Sequence, residues 1–304
     1  MHFFYRLLML MAVAVPVTSG HAAAPGMVLI PAGSFEMGDA LGDGTAAELP
    51  VHTVTLDAFY MDQTEVTFDL WKKVAGWAAT NGYDIGITSA KGQDEGFPAH
   101  SVTWFSAVKW CNARSEMEGL QPVYFVDDAR TTVLRTGAAN LHNGLVNWSA
   151  NGYRLPTEAE WEKAARGGAK GKRFPWADVD SIDHSRANYI SRTNDAFDVS
   201  GTRGHHPGIK PPGGSPVRMF KPNGFGLHDM AGNMWEWCWD RYLSEYYATS
   251  PADNPRGPEQ GSGRVLRGGS WDRAGFFCRV SGRNNATADN TYTRIGFRTV
   301  RNAP

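Results

Sequence analysis

The sequence predicts a mixed α+β domain with little regular secondary structure, and three observations carry that prediction. The 304 residues include 34 Gly and 17 Pro, more helix breakers than a helical bundle tolerates. The 11 Trp and 10 Tyr supply large rings that can anchor irregular backbone. Strand-like and helix-like segments alternate early, and a long stretch without periodicity follows them. No internal repeat, low-complexity tract or linker divides the chain. Length alone would allow two domains, but residues 25–304 read as one.

The first 24 residues read as a signal peptide. His2 and Arg6 precede the apolar run Leu7 to Val17, and the small residues through Ala24 suit cleavage. The run is too short for a confident membrane span, and no cysteine follows it to take a lipid. The mature protein is therefore expected in the periplasm or outside the cell, with no membrane span once the signal is removed.

Met27 to Phe35 and Val51 to Met61 alternate like strands, separated by the glycine-rich turn Gly38 to Gly44. Thr64 to Trp77 and Val102 to Glu118 read as amphipathic helices. In the second, Trp104, Val108 and Cys111 share a face, so Cys111 is expected as a buried filler. Tyr124 to Trp148 reads as a hairpin-rich excursion. Thr157 with Glu160 forms a capping box for a short helix ended by Gly167, with carboxylates in its first turn and Lys163 and Arg166 in its last. Capping and dipole complementarity account for its glutamates without acid/base catalysis. Ala177 to Phe220 reads as irregular, and so long an irregular stretch needs ligands, ions or function to hold it. Gly268-Gly269 permits a sharp turn that presents Ser270 and Trp271, and Gly296 marks a closing strand with close backbone approach.

Charge excludes some functions. Thirty Lys and Arg balance 31 Asp and Glu for a net charge of -1, leaving no electrostatic footprint for nucleic acid or an anionic membrane. The three cysteines are an odd number for an oxidising compartment. With Cys111 inert, Cys238 and Cys278 are the remaining candidates for a disulfide. Asp229 and Glu236 lie seven apart around a glycine turn, which suits a hard cation such as calcium bound by oxygens. His228, the adjacent His205 and His206, and the dispersed His142 and His184 lack zinc-site spacing.

These segments, in order, resemble the formylglycine-generating enzyme family, the sulfatase-modifying factors. The shared motifs are M-V-L-I-P-A-G-S-F-E-M-G (Met27 to Gly38), E-V-T (Glu65 to Thr67) and L-P-T-E-A-E-W-E (Leu155 to Glu162). G-N-M-W-E-W (Gly232 to Trp237), R-G-G-S-W (Arg267 to Trp271) and G-F-R (Gly296 to Arg298) complete the set. The resemblance spans the mature chain and implies a C-type-lectin-like fold. It also implies structural calcium held by Asp229, the carbonyls of Gly232 and Met234, and Glu236, Asp229 standing where the family often has Asn. A second site would use Asn188, Tyr189 and Asp198.

The family's copper(I) motif resembles G-G-S-x-x-C-H-x-x-Y-C, with two thiolates. Counting from Gly268 puts Arg273 at the first cysteine and Cys278 at the second; counting back from Arg279-Val280 puts neither cysteine in place. Copper is therefore not expected. Ser270, Trp271, Asp272, Arg273, Cys278 and Arg294 remain the candidates for any reaction in that cleft. The resemblance thus implies a secreted or periplasmic family member that is not a copper-dependent formylglycine generator. One alternative is a calcium-stabilised, lectin-like binding or scaffold module for a peptide, glycan or exported protein. Another is an oxidoreductase with a different site, as in periplasmic siderophore-maturation relatives.

Overall fold

A computed structural model describes residues 25–86, 96–209 and 214–304. The proposed signal peptide lies outside these residues. Each opening strand-like segment folds as two strands. Met27–Ile30 (β1) and Gly33–Met37 (β2) are separated at Pro31, which has no amide hydrogen for a ladder. His52–Leu56 (β3) and Phe59–Asp62 (β4) are separated at Asp57 and Ala58. β2 pairs antiparallel with β3. β1 pairs with β4, and β4 with the C-terminal strand β9 (Val300–Asn302), so the two ends of the domain share one sheet.

Helices α1 (Phe68–Thr80) and α2 (Trp104–Met117) begin later than their sequence patterns suggested. Thr67 and Thr103 serve as N-caps, their hydroxyls accepting from the amides of Leu70 and Ser106. Cys111 is fully buried in α2. The 124–148 excursion contains isolated bridges, Tyr124 with Val146 and Phe125 with Val133, rather than named strands. Residues 177–209 and 214–220 are likewise irregular, tied down by bridges such as Ile182 to Asp198 and Asn188 to Gly232.

The third and largest sheet has the order β7-β6-β5-β8. It comprises Trp235–Arg241 (β5), Arg264–Arg267 (β6), Asn284–Ala286 (β7) and Ile295–Gly296 (β8). β8 runs parallel to β5. A β-carbon on Gly296 would stand 2.7 Å from the Ala99 carbonyl oxygen, so this glycine is required by backbone approach. Trp235, Trp237 and Trp239 of β5 join one core cluster while Cys238 joins a second.

Helix α3 (Glu158–Arg166) has the expected capping box and a left-handed Gly167 at its C-cap. Its environment differs from the expected one. Every residue of α3 is buried, and its glutamates meet arginines, two of them, Arg267 and Arg283, from distant segments. Glu160 takes both prongs of Arg154 at 2.6 and 2.7 Å. Glu162 receives Arg166 and Arg267, and Glu158 receives Arg283 at 2.7 and 2.8 Å. Capping explains where the helix starts, while these ion pairs explain how so many carboxylates tolerate burial.

Asp240 is the exception in this cluster. It is buried, and it accepts a hydrogen bond from the amide of Glu158 at 2.8 Å. Burial, followed by the negative charge of Glu158, pushes its carboxyl up to about 8. The folded state thus holds a proton that an unfolded carboxyl releases near pH ~4. The associated stability is present at acid pH and is lost as pH rises toward 8. Asp240→Asn, which keeps an acceptor for the Glu158 amide, is expected to match the parent near pH 4. By pH 8 it should exceed the parent by on the order of 5 kcal/mol in urea unfolding.

Candidate functional site

Two glycines build the tail. Gly268 and Gly269 have φ of +95° and +77°, values that disfavour side chains with a β-carbon. A β-carbon on Gly269 would fall 2.7 Å from the sulfur of Cys278 and 2.9 Å from the carbonyl oxygen of Phe277. The double glycine therefore lets the 268–271 turn close onto the short helical turn Gly275–Cys278. Ser270 emerges fully buried, its hydroxyl donating to Asp272 at 2.7 Å. Asp272 also receives Arg294 at 3.3 Å, and Arg294 lies 4.1 Å over the ring of Tyr292, which is half exposed.

Ser270, Asp272 and Arg294 are thus brought together. Arg273 contributes through its backbone, its carbonyl accepting from the Ile190 amide at 2.8 Å. Trp271 is buried with its indole N–H unpaired among the described residues, and the His205 ring lies 5.8 Å away. His100 is also buried, its Nδ1 3.1 Å from the Ser101 hydroxyl. Ser101, in a left-handed conformation, donates its amide to the Tyr292 carbonyl.

The expected disulfide is not formed. Cys111, Cys238 and Cys278 are all free and fully buried, and they belong to three different core clusters. Cys238 points into the core between α3 and the sheets, whereas Cys278 packs with Phe174, Ile182 and Tyr189. Burial pushes the Cys278 thiol well up, away from thiolate. Its sulfur lies 3.7 Å from the Ala274 carbonyl oxygen.

The expected calcium residues divide in an informative way. The 229–234 loop curls through left-handed Asp229, Gly232 and Asn233, at φ of +59°, +76° and +62°. Asn188 reaches this loop, its carbonyl accepting from the Asn233 amide at 2.8 Å. A β-carbon on Gly232 would be 2.3 Å from that same carbonyl oxygen. The two segments singled out for cation binding are therefore adjacent.

Glu236, however, is not an open ligand. Arg298 grips both its oxygens at 2.7 Å, and the Trp161 indole donates to one of them at 2.8 Å. Near Arg298, Oδ1 of Asp229 and Oε2 of Glu65 are buried with no hydrogen-bond partner among the described residues. Burial, then the Asp229 charge, pushes the Glu65 carboxyl well above its usual range. Burial also raises Asp229, against the Arg218 amide and the charge of Arg298. Three buried carboxylates, Glu65, Asp229 and Glu236, thus act on one guanidinium, Arg298, a local deficit of positive charge, although among the described residues no group of three or more His, Cys, Asp or Glu side chains is placed to hold a metal ion. Glu65 was visible in the sequence only as the first residue of E-V-T. Its cue as a site residue was its place in a shared motif, but no spacing linked it to residue 229.

In the second expected calcium set the Asp198 carboxylate is engaged by hydrogen bonds and a salt bridge. The Tyr189 hydroxyl at 2.7 Å, the amides of Arg192 and Ser200 at 2.9 and 3.1 Å, and Arg203 at 3.2 Å engage the Asp198 carboxylate. Burial acts to raise its pKa, but the Tyr189 hydroxyl and the amides outweigh it and hold the carboxyl below its usual range. Tyr189 is a hydrogen-bond donor to Asp198 here. Asn188 serves the first loop instead.

Fold and site together define a class: a low-regularity α+β domain with a glycine-built C-terminal turn and a carboxylate-rich loop hydrogen-bonded to it. A family model described as sulfatase-modifying factor enzyme 1-like domain matches residues 13–303, and the chain belongs to that family. The formylglycine-generating enzyme of Streptomyces coelicolor is 35% identical, over 96% of this chain and 97% of that one. Among solved structures, Treponema denticola variable protein 1 superposes with a TM-score of 0.69 at 29% identity, covering 91% of this chain and 94% of that one. PvdO from Pseudomonas aeruginosa gives 0.64 at 26% identity, covering 91% and 94%. The C-type-lectin-like architecture implied by the sequence motifs agrees with these neighbours. Among the described residues no helix is long and apolar enough to cross a membrane.

The Arg298–Glu236 pair joins the last strands to β5, so breaking it should be felt globally. Glu236→Gln leaves a guanidinium in full burial with one fewer countercharge, and we expect a loss of about 3 kcal/mol in denaturant unfolding. Asp272→Asn, at a partly exposed pair, should lose under about 1 kcal/mol in the same assay.

Proposed function

We propose that this chain is an exported recognition module of the sulfatase-modifying-factor family, stabilised by calcium, and that it does not form formylglycine through copper(I). The observation that carries this reading is the state of Cys278. It is the tail's lone thiol, fully buried, with its pKa raised by burial. Arg273 stands where counting from Gly268 would place the first cysteine. Copper(I) chemistry of the family type requires two soft thiolates on one ion, and a buried, protonated thiol is a poor nucleophile as well as a poor ligand. Ser270 offers no substitute: its hydroxyl is spent on Asp272, and Asp272 is held by Arg294.

Recognition asks less of these residues. Tyr292 with Arg294 stacked on it supplies a ring and a cation at the surface, a pairing suited to binding a peptide segment of an exported partner. Ser270 and Asp272 then act as positioning residues for Arg294. The proposed calcium sits at Asp229 and Glu65, fixing the loop that runs into β5 and thereby the turn at Gly268, whose carbonyl accepts from the Gly232 amide at 2.7 Å.

Two measurements check this reading. Incubated with copper(I), oxygen and a cysteine-bearing sulfatase-type peptide, the protein is expected to yield no aldehyde by mass spectrometry; aldehyde formation would refute the non-oxidase assignment. Calcium at about 100 times its Kd should raise stability by about 2.7 kcal/mol over EDTA-treated protein. Asp229→Ala should abolish that increment, and identical melting curves with calcium and with EDTA would remove calcium from the account.

A further inference from the structure

A groove of about 380 Å³ shares no lining residue with the Ser270–Asp272–Arg294 chain or the Asp229 loop. The β3–β4 turn, the loop at Trp148, the start of α3, the 254–256 loop and the C-terminal strand form its walls. Its volume lies at the lower end of the range for small-molecule sites.

Two arginines line this groove, and they are not alike. Arg154 is 6% exposed and is neutralised by the two-pronged pair with Glu160; its third contact is the side-chain oxygen of Asn302 at 3.1 Å. Arg256 is exposed and lies 4.4 Å over the ring of Trp148. Among the described residues Arg256 makes no hydrogen bond and no ion pair; its one close partner is the indole. Burial, and then the charge of Arg154, lowers its pKa, so the fold sets one cation near another. The other carboxylate in the lining, Asp57, is tied to Asn254, accepting its amide N–H at 3.1 Å.

Like charges held close are destabilising unless an anion joins them. A guanidinium fixed flat on an aromatic ring presents a planar fork of donors, matched in shape by a carboxylate. The groove has two cations and two carboxylates, so a monoanion suits its charge better than a phosphate dianion.

We propose that this groove binds a small organic carboxylate, with Arg256, braced on Trp148, as the residue that recognises it. The carboxylate could belong to a free acid or to an acidic sugar residue, and the recognition chemistry is the same for both. This assignment does not depend on the calcium reading or on the recognition role proposed for the tail.

Isothermal titration of the purified protein with sodium glucuronate, sodium acetate and glucose tests it. Glucuronate and acetate are expected to bind and glucose is not. Arg256→Gln, a surface change expected to keep the parent melting temperature, should weaken carboxylate binding about tenfold or more, as loss of a charged hydrogen bond implies. Equal affinity for acetate and glucuronate would assign a free acid, and tighter glucuronate an acidic saccharide; both support the site. Absence of binding at about 10 mM carboxylate, glucose binding as well as glucuronate, or unchanged affinity in Arg256→Gln would overturn it.

Discussion

The structure depends on arginines buried against carboxylates. Arg267, Arg279 and Arg298 are among the largest fully buried side chains, and each reaches across the chain. Arg279 grips Glu48 with two hydrogen bonds at 2.7 and 2.8 Å, Arg267 joins Glu162, and Arg298 joins Glu236. The strands here are short, and much of the backbone lies outside helices and sheets, so ladders alone do not fix the tertiary arrangement. Two-pronged guanidinium pairs supply direction as well as attraction. Removing one partner leaves a charge unpaired in the interior, and for that reason the network constrains many segments at once.

The same constraint shapes the carboxylate-rich loop and the Trp148 groove. At the carboxylate-rich loop the network is short of positive charge: Glu65, Asp229 and Glu236 face a single Arg298. At the Trp148 groove it has an unpaired cation: Arg154 is neutralised, and Arg256 is not. Sites arise where the internal pairing of charges is incomplete, because a ligand can complete it at less desolvation than a new side chain would require. The Ser270–Asp272–Arg294 chain is different. It is complete within itself, and this is consistent with a positioning role rather than a reactive one.

Much of the fold was legible in the sequence because its determinants are local. Thr157 with Glu160 announces α3, Gly167 ends it, and Gly268-Gly269 announces the tail turn. Pro31 split the first strand, a local signal that alternation alone conceals. The burial of α3 was not legible, since its glutamates find Arg154, Arg267 and Arg283 only after folding. The candidate site was legible in part. The 229–236 loop and Asn188 do meet, but Glu236 is used by Arg298, Asp198 by Tyr189, and the open oxygen belongs to Glu65, which is far away in sequence. Cys238 and Cys278 looked like a pair by elimination; each instead fills a different core cluster.

We propose that a calcium ion makes up the charge deficit beside Arg298 and so holds the tail in place. Diffraction from crystals grown with calcium, recorded to reveal its anomalous scattering, tests this most directly. The account predicts a peak within about 2.3–2.6 Å of Asp229 Oδ1 and Glu65 Oε2. Those two oxygens sharing a proton, with no anomalous peak beside them, would contradict it.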